Sequence, residues 1–165
     1  GRSAGGFAKG YKLHAIWGKR PMPEAWVIRP LNENESPIAC QLVAQLSGVG
    51  YLIGDSQFDV VALHNAAITH DHQLIAPRNW RKCKNPNSVP ANPHRRHAFE
   101  MLTRPFGRAL RTHRDAIERK FGNATCHGGG LAPLPAWVRR YQRVCRWVQA
   151  KLILNGLRIQ QRLTA

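Results

Sequence analysis

A short apolar run, Tyr51-Leu52-Ile53-Gly54, has no polar alternation, which is typical of a strand buried on both faces of a sheet. The acid Asp55 follows it directly. Residues 58–68 have helical spacing of apolar side chains, and residues 73–76 form a second apolar run. Strand, helix, strand units are almost always right-handed with parallel strands, and α/β sheets bind ligands at the carboxyl ends of such strands. The sequence therefore predicts an α/β fold with Asp55 at the ligand-binding edge.

The segments on either side of this unit supply the remaining predicted elements. Residues 11–18 and 24–29 alternate apolar and polar side chains and predict a β-hairpin, and residues 37–48 predict a helix. A helix is predicted again from His97, with a bend or break at Pro105, and a last helix is predicted over 135–165. The length of 165 residues corresponds to about one domain.

Positive charge is concentrated in the second half of the chain, whose net charge is +16. Residues 1–77 carry 6 Lys and Arg against 6 acids, whereas residues 78–165 carry 19 against 3. Such an excess predicts a polyanionic partner, first of all nucleic acid. A basic structural protein of a ribonucleoprotein would share the charge but would not explain the strand that ends at Asp55.

Neither a membrane span nor a secretory signal is visible in the sequence. No apolar run approaches the ~20 residues that a spanning helix needs. Residues 1–10 lack the apolar centre of a signal peptide. We therefore expect a cytoplasmic protein that does not contact a membrane.

The segment 111–122 reads RTHRDAIERKFG and predicts one helix that ends at Gly122. Arg114 and Glu118 lie one turn apart on its polar face, beside a packing stripe formed by Leu110, His113, Ile117 and Phe121. An arginine one turn before a glutamate is, on its own, a surface ion pair worth about 0.3 kcal/mol. Asp55 adds a second interpretation, because two carboxylates that meet in space can bind a divalent metal ion.

Four short motifs follow one another in a recognisable order. They are Lys12-Leu13-His14, Gly54-Asp55-Ser56-Gln57-Phe58-Asp59, Pro77-Arg78-Asn79 and the run from Arg114 to Gly122. This order resembles the DDE transposases of bacterial insertion sequences, from about Gly10 to the last helix. The resemblance implies a ribonuclease H-like mixed sheet with flanking helices. Residues 1–165 would be a single partial, N-terminally incomplete catalytic domain, with a basic loop or insertion at 77–96 and a helix at 135–165.

The resemblance also implies a chemistry. In that family three carboxylates bind two Mg²⁺ (or Mn²⁺) ions and cut DNA at the element ends by in-line attack of water or a 3′-hydroxyl. Asp55 matches the second carboxylate, Glu118 the third, and Arg114 the arginine that precedes the glutamate with three residues between. The implied function is DNA transposition, with element ends and target DNA as partners on the nucleoid. A homodimer is left open for the complete protein.

The chain departs from the family pattern at three places. Arg111 and Thr125 stand where many relatives have a tyrosine and a lysine. The family's first aspartate precedes the hairpin, but this chain has no acid before Glu24. We therefore expect residues 1–165 to be inactive by themselves. Two alternatives stay open: a decayed or repurposed fragment that binds DNA without catalysis, and Asp55 as the cap of the next helix.

Basic and aromatic side chains of the second half are the candidate DNA contacts. They are Arg78, Trp80, Arg81, Lys82, Lys84, Arg95, Arg96, Arg111, Arg119, Lys120, Arg139, Arg143 and Arg146. Trp80 is either a core residue or a platform on which a base stacks. The arginines of the last helix are either a solvated face or phosphate contacts. Asp59 and Asp115 are expected to be solvated or paired with an arginine.

Overall fold

The computed structural model describes residues 2–3, 6–7, 10–83, 85, 88–125, 130–131 and 133–164, with backbone only at residues 2, 3, 6, 7 and 82. The fold class is mixed α/β, as predicted. The strands are β1 Arg2–Ser3, β2 Gly6–Phe7, β3 Tyr11–Ile16, β4 Ala25–Pro30, β5 Gly50–Ile53 and β6 His72–Ile75. The helices are α1 Glu35–Val43, α2 Val61–Thr69, α3 Pro93–Thr103, α4 Pro105–Thr112, α5 Arg114–Thr125 and α6 Tyr141–Thr164, with 3₁₀ turns at Ser56–Phe58 and Trp80–Lys82.

The chain divides into two compact units. The first unit comprises Gly1–Ala15 and Ala25–Arg114, and the second comprises Ile16–Glu24 and Asp115–Ala165. None of the helices in the described ranges is long and apolar enough to cross a membrane.

The strand, helix, strand unit is present with the predicted parallel pairing. Gly50 of β5 lies opposite His72 of β6, and Ile53 lies opposite Ile75. Asp55 follows the end of β5, as predicted, and a 3₁₀ turn at Ser56–Phe58 delays the start of α2 to Val61.

The strands in the described part of the chain form three two-stranded sheets. β1 and β2 are antiparallel, β3 pairs with β4 in the predicted hairpin, and β5 pairs with β6. The prediction that β5 is buried on both faces is wrong, because Tyr51 is 46% exposed. Its ring lies edge-on to Phe106 at 5.6 Å between centroids, and this contact leaves nearly half of the Tyr51 side chain open to solvent.

Two helix boundaries in the first unit follow from local side chains. Asn92 accepts a hydrogen bond from the Arg95 amide at 2.9 Å and caps α3, so the helix begins at Pro93 instead of His97. α3 ends before Arg104, whose backbone is extended, and α4 begins at Pro105. The predicted break is confirmed, because a residue that precedes proline avoids the helical conformation.

The prediction of one helix over 111–122 is wrong. α4 ends at Thr112, His113 forms its C-cap, and α5 runs from Arg114 past Gly122 to Thr125. His113 is exposed and does not extend the predicted packing stripe. Leu110 instead packs against a small core cluster of the first unit that contains Ile75, Ala98 and Met101.

The last helix begins at Tyr141 instead of residue 135. α6 buries Val144, Val148 and Leu152 on one side and continues with buried Asn155 and Gly156. Its buried face therefore follows the four-residue spacing of the sequence.

Gly107 is expected to tolerate no side chain. A Cβ atom there would lie 2.1 Å from the Met101 carbonyl oxygen and 2.5 Å from its carbon, both of them backbone atoms. Gly107→Ala should therefore lower the free energy of unfolding by about 1–3 kcal/mol, because the α3–α4 contact must open.

The matched control is Gly122→Ala, since a Cβ at Gly122 would meet nothing within 4 Å. This change should be neutral or stabilise by about 0.5–1 kcal/mol, because alanine is the better helix residue. Urea unfolding followed by circular dichroism measures both effects, and equal destabilisation by the two changes would contradict the close contact at Gly107.

Candidate functional site

Asp55 caps the turn that follows β5. Its Oδ1 accepts a hydrogen bond from the Gln57 amide at 2.7 Å, so Asp55 caps the 3₁₀ turn, whereas the N-cap of α2 is Val60. The other carboxylate oxygen, Oδ2, makes no hydrogen bond or ion pair with residues that the structure describes. Capping and metal binding are compatible, because a hard cation needs only one oxygen of a carboxylate ligand.

Glu118 and Arg114 both lie on α5, one helical turn apart. Glu118 is exposed and Arg114 is half-buried. Asp55 belongs to the first unit and Glu118 to the second, so a metal ion shared between their carboxylates stays a prediction. Within the described residues, no three His, Cys, Asp or Glu side chains are grouped to hold a metal ion. Mg²⁺ and Mn²⁺ nevertheless prefer carboxylate oxygens as ligands, so the residue types of Asp55 and Glu118 fit such an ion.

Asp59 is the buried polar centre of the first unit. It is 5% exposed, and Arg95 binds it through both oxygens, Nε to Oδ1 at 2.6 Å and Nη2 to Oδ2 at 2.7 Å. The Asn79 amide also donates to Oδ2, at 2.9 Å. The fully buried His64 places Nε2 at 3.4 Å from Oδ1 without hydrogen-bond geometry. The sequence predicted that Asp59 is either solvated or paired with an arginine, and the pairing is confirmed.

The surroundings of Asp59 favour its ionised form. Burial alone would raise the pKa of Asp59, but the hydrogen bonds from Arg95 and the Asn79 amide, with the nearby His64 ring, outweigh burial. They hold the pKa well below its ordinary value.

Arg78 organises the basic loop internally. Its Nη2 donates to the carbonyl oxygen and to Oγ of Ser88, both at 2.8 Å, and lies 3.1 Å from Cys83 Sγ. Its guanidinium also lies 4.9 Å from the ring centroid of Trp80. Trp80 itself is 62% exposed, so the interpretation of Trp80 as a core residue is wrong. An exposed indole beside a guanidinium can stack with a nucleic-acid base.

Two further candidate DNA contacts have other partners. The positive charge of Arg95 is compensated by Asp59, and only 23% of the Arg95 side chain is exposed. Lys120 Nζ donates to the backbone oxygens of Gly18 at 2.6 Å and Arg20 at 3.2 Å. Burial lowers the pKa of Lys120 below its ordinary value. Both charged groups thus have partners within their own units, and DNA contact by either residue stays a prediction.

The remaining candidates are largely on the surface. The exposed ones are Arg81, Arg96, Arg111, Arg119, Arg139, Arg143 and Arg146. Lys84 and the side chain of Lys82 lie outside the described residues. Arg139 and Arg143 donate to the backbone oxygens of Ala136 and Trp137, at 3.0 and 3.1 Å, which leaves their net charge uncompensated.

An open groove of about 360 Å³ lies in the first unit, next to the turn that Asp55 caps. Its lining includes Asn34, Ser36, Gln57, Phe58, Asn79 and Arg81. Gln57 and Asn79 come soon after the ends of the parallel strands β5 and β6. The sequence analysis missed the groove, although strand-end position, the signal that identified Asp55, also applied to these two side chains.

No protein-family model, no curated protein and no solved structure matches the chain at a significant level. The resemblance to DDE transposases therefore depends on the four short sequence motifs alone.

Removing the Asp59 carboxylate should destabilise the first unit strongly. In Asp59→Ala, the Arg95 guanidinium and the Asn79 amide would lose their acceptor, a loss worth about 3 kcal/mol for a buried pair. The control is Glu100→Ala, an exposed acid on the same helix as Arg95, which should change stability by less than about 0.5 kcal/mol. Urea unfolding measures both, and similar small effects would contradict the importance of Asp59.

The lowered pKa of Asp59 predicts the direction of the pH dependence. Because the folded pKa lies below the unfolded value of about 4, the stabilisation is complete above that pH and is lost as the pH falls toward the folded pKa. The wild type should therefore lose more unfolding free energy between pH 6 and about pH 3 than Asp59→Asn does. If the unfolding free energies of the wild type and of Asp59→Asn fall equally between pH 6 and about pH 3, the lowered pKa of Asp59 is contradicted.

Proposed function

We propose that this chain is part of the catalytic domain of a DDE transposase with a ribonuclease H-like fold. The complete protein would cut DNA at the ends of an insertion sequence and join those ends to target DNA. One observation carries the proposal: Asp55 stands at the carboxyl end of β5, beside the parallel strand β6, with one carboxylate oxygen unengaged by described residues. Arg114 and Glu118, one turn apart on α5, support it.

The proposed roles follow from the chemistry of these side chains. Asp55 and Glu118 would hold Mg²⁺ or Mn²⁺, and such ions stabilise the charged oxygens of phosphoryl transfer when bound. Arg114 would supply a guanidinium, whose planar donors suit phosphate oxygens. Asp55 thus has a double role, because the capping bond from Gln57 also fixes the direction of its carboxylate.

DNA is the proposed partner of the exposed arginines. Arg139, Arg143 and Arg146 are exposed, and no acidic residue occurs between residues 119 and 165. Such a surface binds phosphates without regard to sequence. In the cell we propose a cytoplasmic protein located on the nucleoid, with a homodimer as the assembly of the complete protein.

A second candidate function is DNA binding without catalysis. The observation that favours it is that Arg111 and Thr125 stand where many relatives have a tyrosine and a lysine. The two candidates share the DNA surface and differ only in the chemistry of Asp55 and Glu118.

DNA binding should depend steeply on salt. Replacing Arg139, Arg143 and Arg146 together by Ala should reduce the slope of log affinity against log salt by about 3, if each contacts one phosphate. The triple Arg→Lys variant keeps the charge and should keep most of the slope. Fluorescence anisotropy with a labelled duplex measures both. An affinity that stays equal at low and moderate salt would contradict phosphate binding.

Residues 1–165 alone should bind DNA without cleaving it in Mg²⁺ or Mn²⁺. Asp55 and Glu118 together carry a formal charge of −2, which is too little to hold two ions with a total charge of +4. The assay is nicking of supercoiled DNA. Cleavage that Asp55→Ala and Glu118→Ala abolish would show that another acid in these residues completes the site.

Catalysis itself is tested with the protein expressed from the full open reading frame around these residues. Asp55→Ser keeps a side chain that can cap the turn but removes the carboxylate, whereas Asp55→Ala removes both. If Asp55 and Glu118 are metal ligands, then Asp55→Ser, Asp55→Ala and Glu118→Gln should all lose cleavage while retaining DNA binding. Asp115→Asn, an exposed acid on the same helix as Glu118, is the matched control and should remain active. Cleavage retained by Asp55→Ser would show that Asp55 only caps the turn.

A further inference from the structure

α6, which belongs to the second unit, carries apolar side chains on two opposite sides. One side buries Val144 and Val148. Ile153 and Leu157 follow these valines by nine residues each, which is about two and a half turns of a helix. They therefore lie on the opposite side, where they are 44% and 57% exposed. A helix that is apolar on two sides is typical of one packed between two layers, and the described residues cover only one side.

The exposed apolar side chains form one continuous strip along the helix. This α6 strip comprises Ala150, Ile153, Leu154 and Leu157, which recur at the three- and four-residue steps of one helix face. All four are exposed. Single exposed apolar residues are ordinary on protein surfaces, but this spacing is the one with which a helix packs on another helix.

Trp137 extends the apolar surface beyond the strip. Its ring lies edge-on to Trp147 at 5.6 Å between centroids, and Trp147 precedes Ala150 by three residues on α6. Trp137 is 60% exposed, although its backbone is held by the fully buried Val138 and by a hydrogen bond from Arg143 Nη1 to its carbonyl oxygen at 3.1 Å. Tryptophan is enriched among the residues that dominate binding energy at protein interfaces.

The charges beside the α6 strip have one sign. The charged residues of α6 are all basic: Arg143, Arg146, Lys151, Arg158 and Arg162. Lys151 Nζ lies 4.6 Å from the ring centroid of Trp147, so a cation borders the apolar surface directly. Because complementary charges steer partners together, a protein that covers the strip should carry acidic side chains around its own apolar residues.

Other occupants match this surface less well. Duplex DNA complements the arginines but offers no apolar surface to the leucines, because its bases are stacked inside the duplex. A second copy would bring two basic α6 helices together, and a chain with a net charge of +16 repels its copies. A membrane-bound helix presents a broad apolar face, whereas the α6 strip is narrow and ends at Gln160 and Gln161.

We propose that the α6 strip binds an acidic amphipathic helix of another protein. The apolar side chains of that helix would cover Ile153, Leu154 and Leu157, and its carboxylates would face the basic residues of α6. This inference goes beyond the proposed function and does not depend on it, because it uses side chains that duplex DNA leaves uncovered.

The test uses a fluorescently labelled synthetic peptide of about 21 residues, with leucine at two positions of each heptad and glutamate at most others. One control peptide replaces the leucines by serine, and another replaces the glutamates by lysine. Residues 1–165 should bind the leucine–glutamate peptide about tenfold or more tightly than either control, because both the apolar strip and the charge are needed. Fluorescence anisotropy measures the three affinities.

The double variant Leu154→Gln/Leu157→Gln should weaken peptide binding about tenfold or more, because two leucines no longer become buried. Both side chains are exposed and glutamine is a good helix residue, so the fold should be retained. Leu163→Gln is the matched control. Leu163 is 72% exposed on the same helix, but it follows Leu157 by six residues and so lies on another side. This variant should bind the peptide as the wild type does.

A second pair of variants tests the charge without removing any leucine. Ala150→Glu places an acid on the α6 strip and should weaken binding of the acidic peptide. Ala150→Lys introduces a side chain of similar length and should retain binding. Equal loss in both variants would contradict the charge requirement and overturn the proposal of an acidic partner.

Four further outcomes would overturn the proposal. The first is equal binding of the three peptides, or equal affinity of the double variant and Leu163→Gln. The second is a dimer of residues 1–165 in sedimentation that the double variant converts to a monomer, which would assign the strip to a second copy. The third is binding to phosphatidylserine–phosphatidylcholine vesicles that only the double variant loses, with its peptide affinity unchanged. The fourth is peptide binding by residues 1–165 that the protein from the full open reading frame lacks, which would show that another part of the same protein covers the strip.

The same proteins distinguish this proposal from the proposed function. The double variant keeps every arginine of α6 and should therefore bind duplex DNA as the wild type does. Loss of the peptide preference with intact DNA binding overturns the acidic partner and leaves the proposed function standing.

Discussion

The ion pair between Asp59 and Arg95 is the interaction on which the first unit depends. Arg95 binds both carboxylate oxygens, and the Asn79 amide adds a third hydrogen bond. Three segments of the chain are thereby joined: the turn after β5, the segment after β6 and the first turns of α3. A buried carboxylate is tolerated only when such bonds replace its hydration, and that requirement makes the arrangement specific.

The same ion pair positions both parts of the candidate site. Asp55 and Asp59 flank one 3₁₀ turn, so holding Asp59 fixes the turn that Asp55 caps. Asn79 is fixed through its backbone amide, which places its side chain at the groove. The turn that Asp55 caps and the groove lined by Asn79 thus both depend on one buried polar centre. Side chains supported in this way keep their geometry without a ligand.

The positive charge of the chain serves two purposes. Arg78, Arg95 and Lys120 bind acceptors within their own units, where they fix a loop, the buried acid and a backbone turn. The exposed arginines, of which Arg143 and Arg146 on α6 are examples, are the ones that can bind a polyanion. A net charge of +16 therefore overstates the positive charge that a polyanion could contact, because part of that charge is used within the fold.

The sequence by itself determined the parallel strands, the place of Asp55 at the end of β5 and the break before Pro105, because apolar runs and proline sterics act locally. Tertiary structure decided which charges are used internally: Arg95 finds its acid 36 residues away, and Lys120 finds its acceptor 102 residues away. Arg96 directly follows Arg95 in the sequence, yet its side chain remains exposed. Only the folded chain distinguishes them, because long-range partners, and not composition, determine whether a charged side chain is buried or remains on the surface.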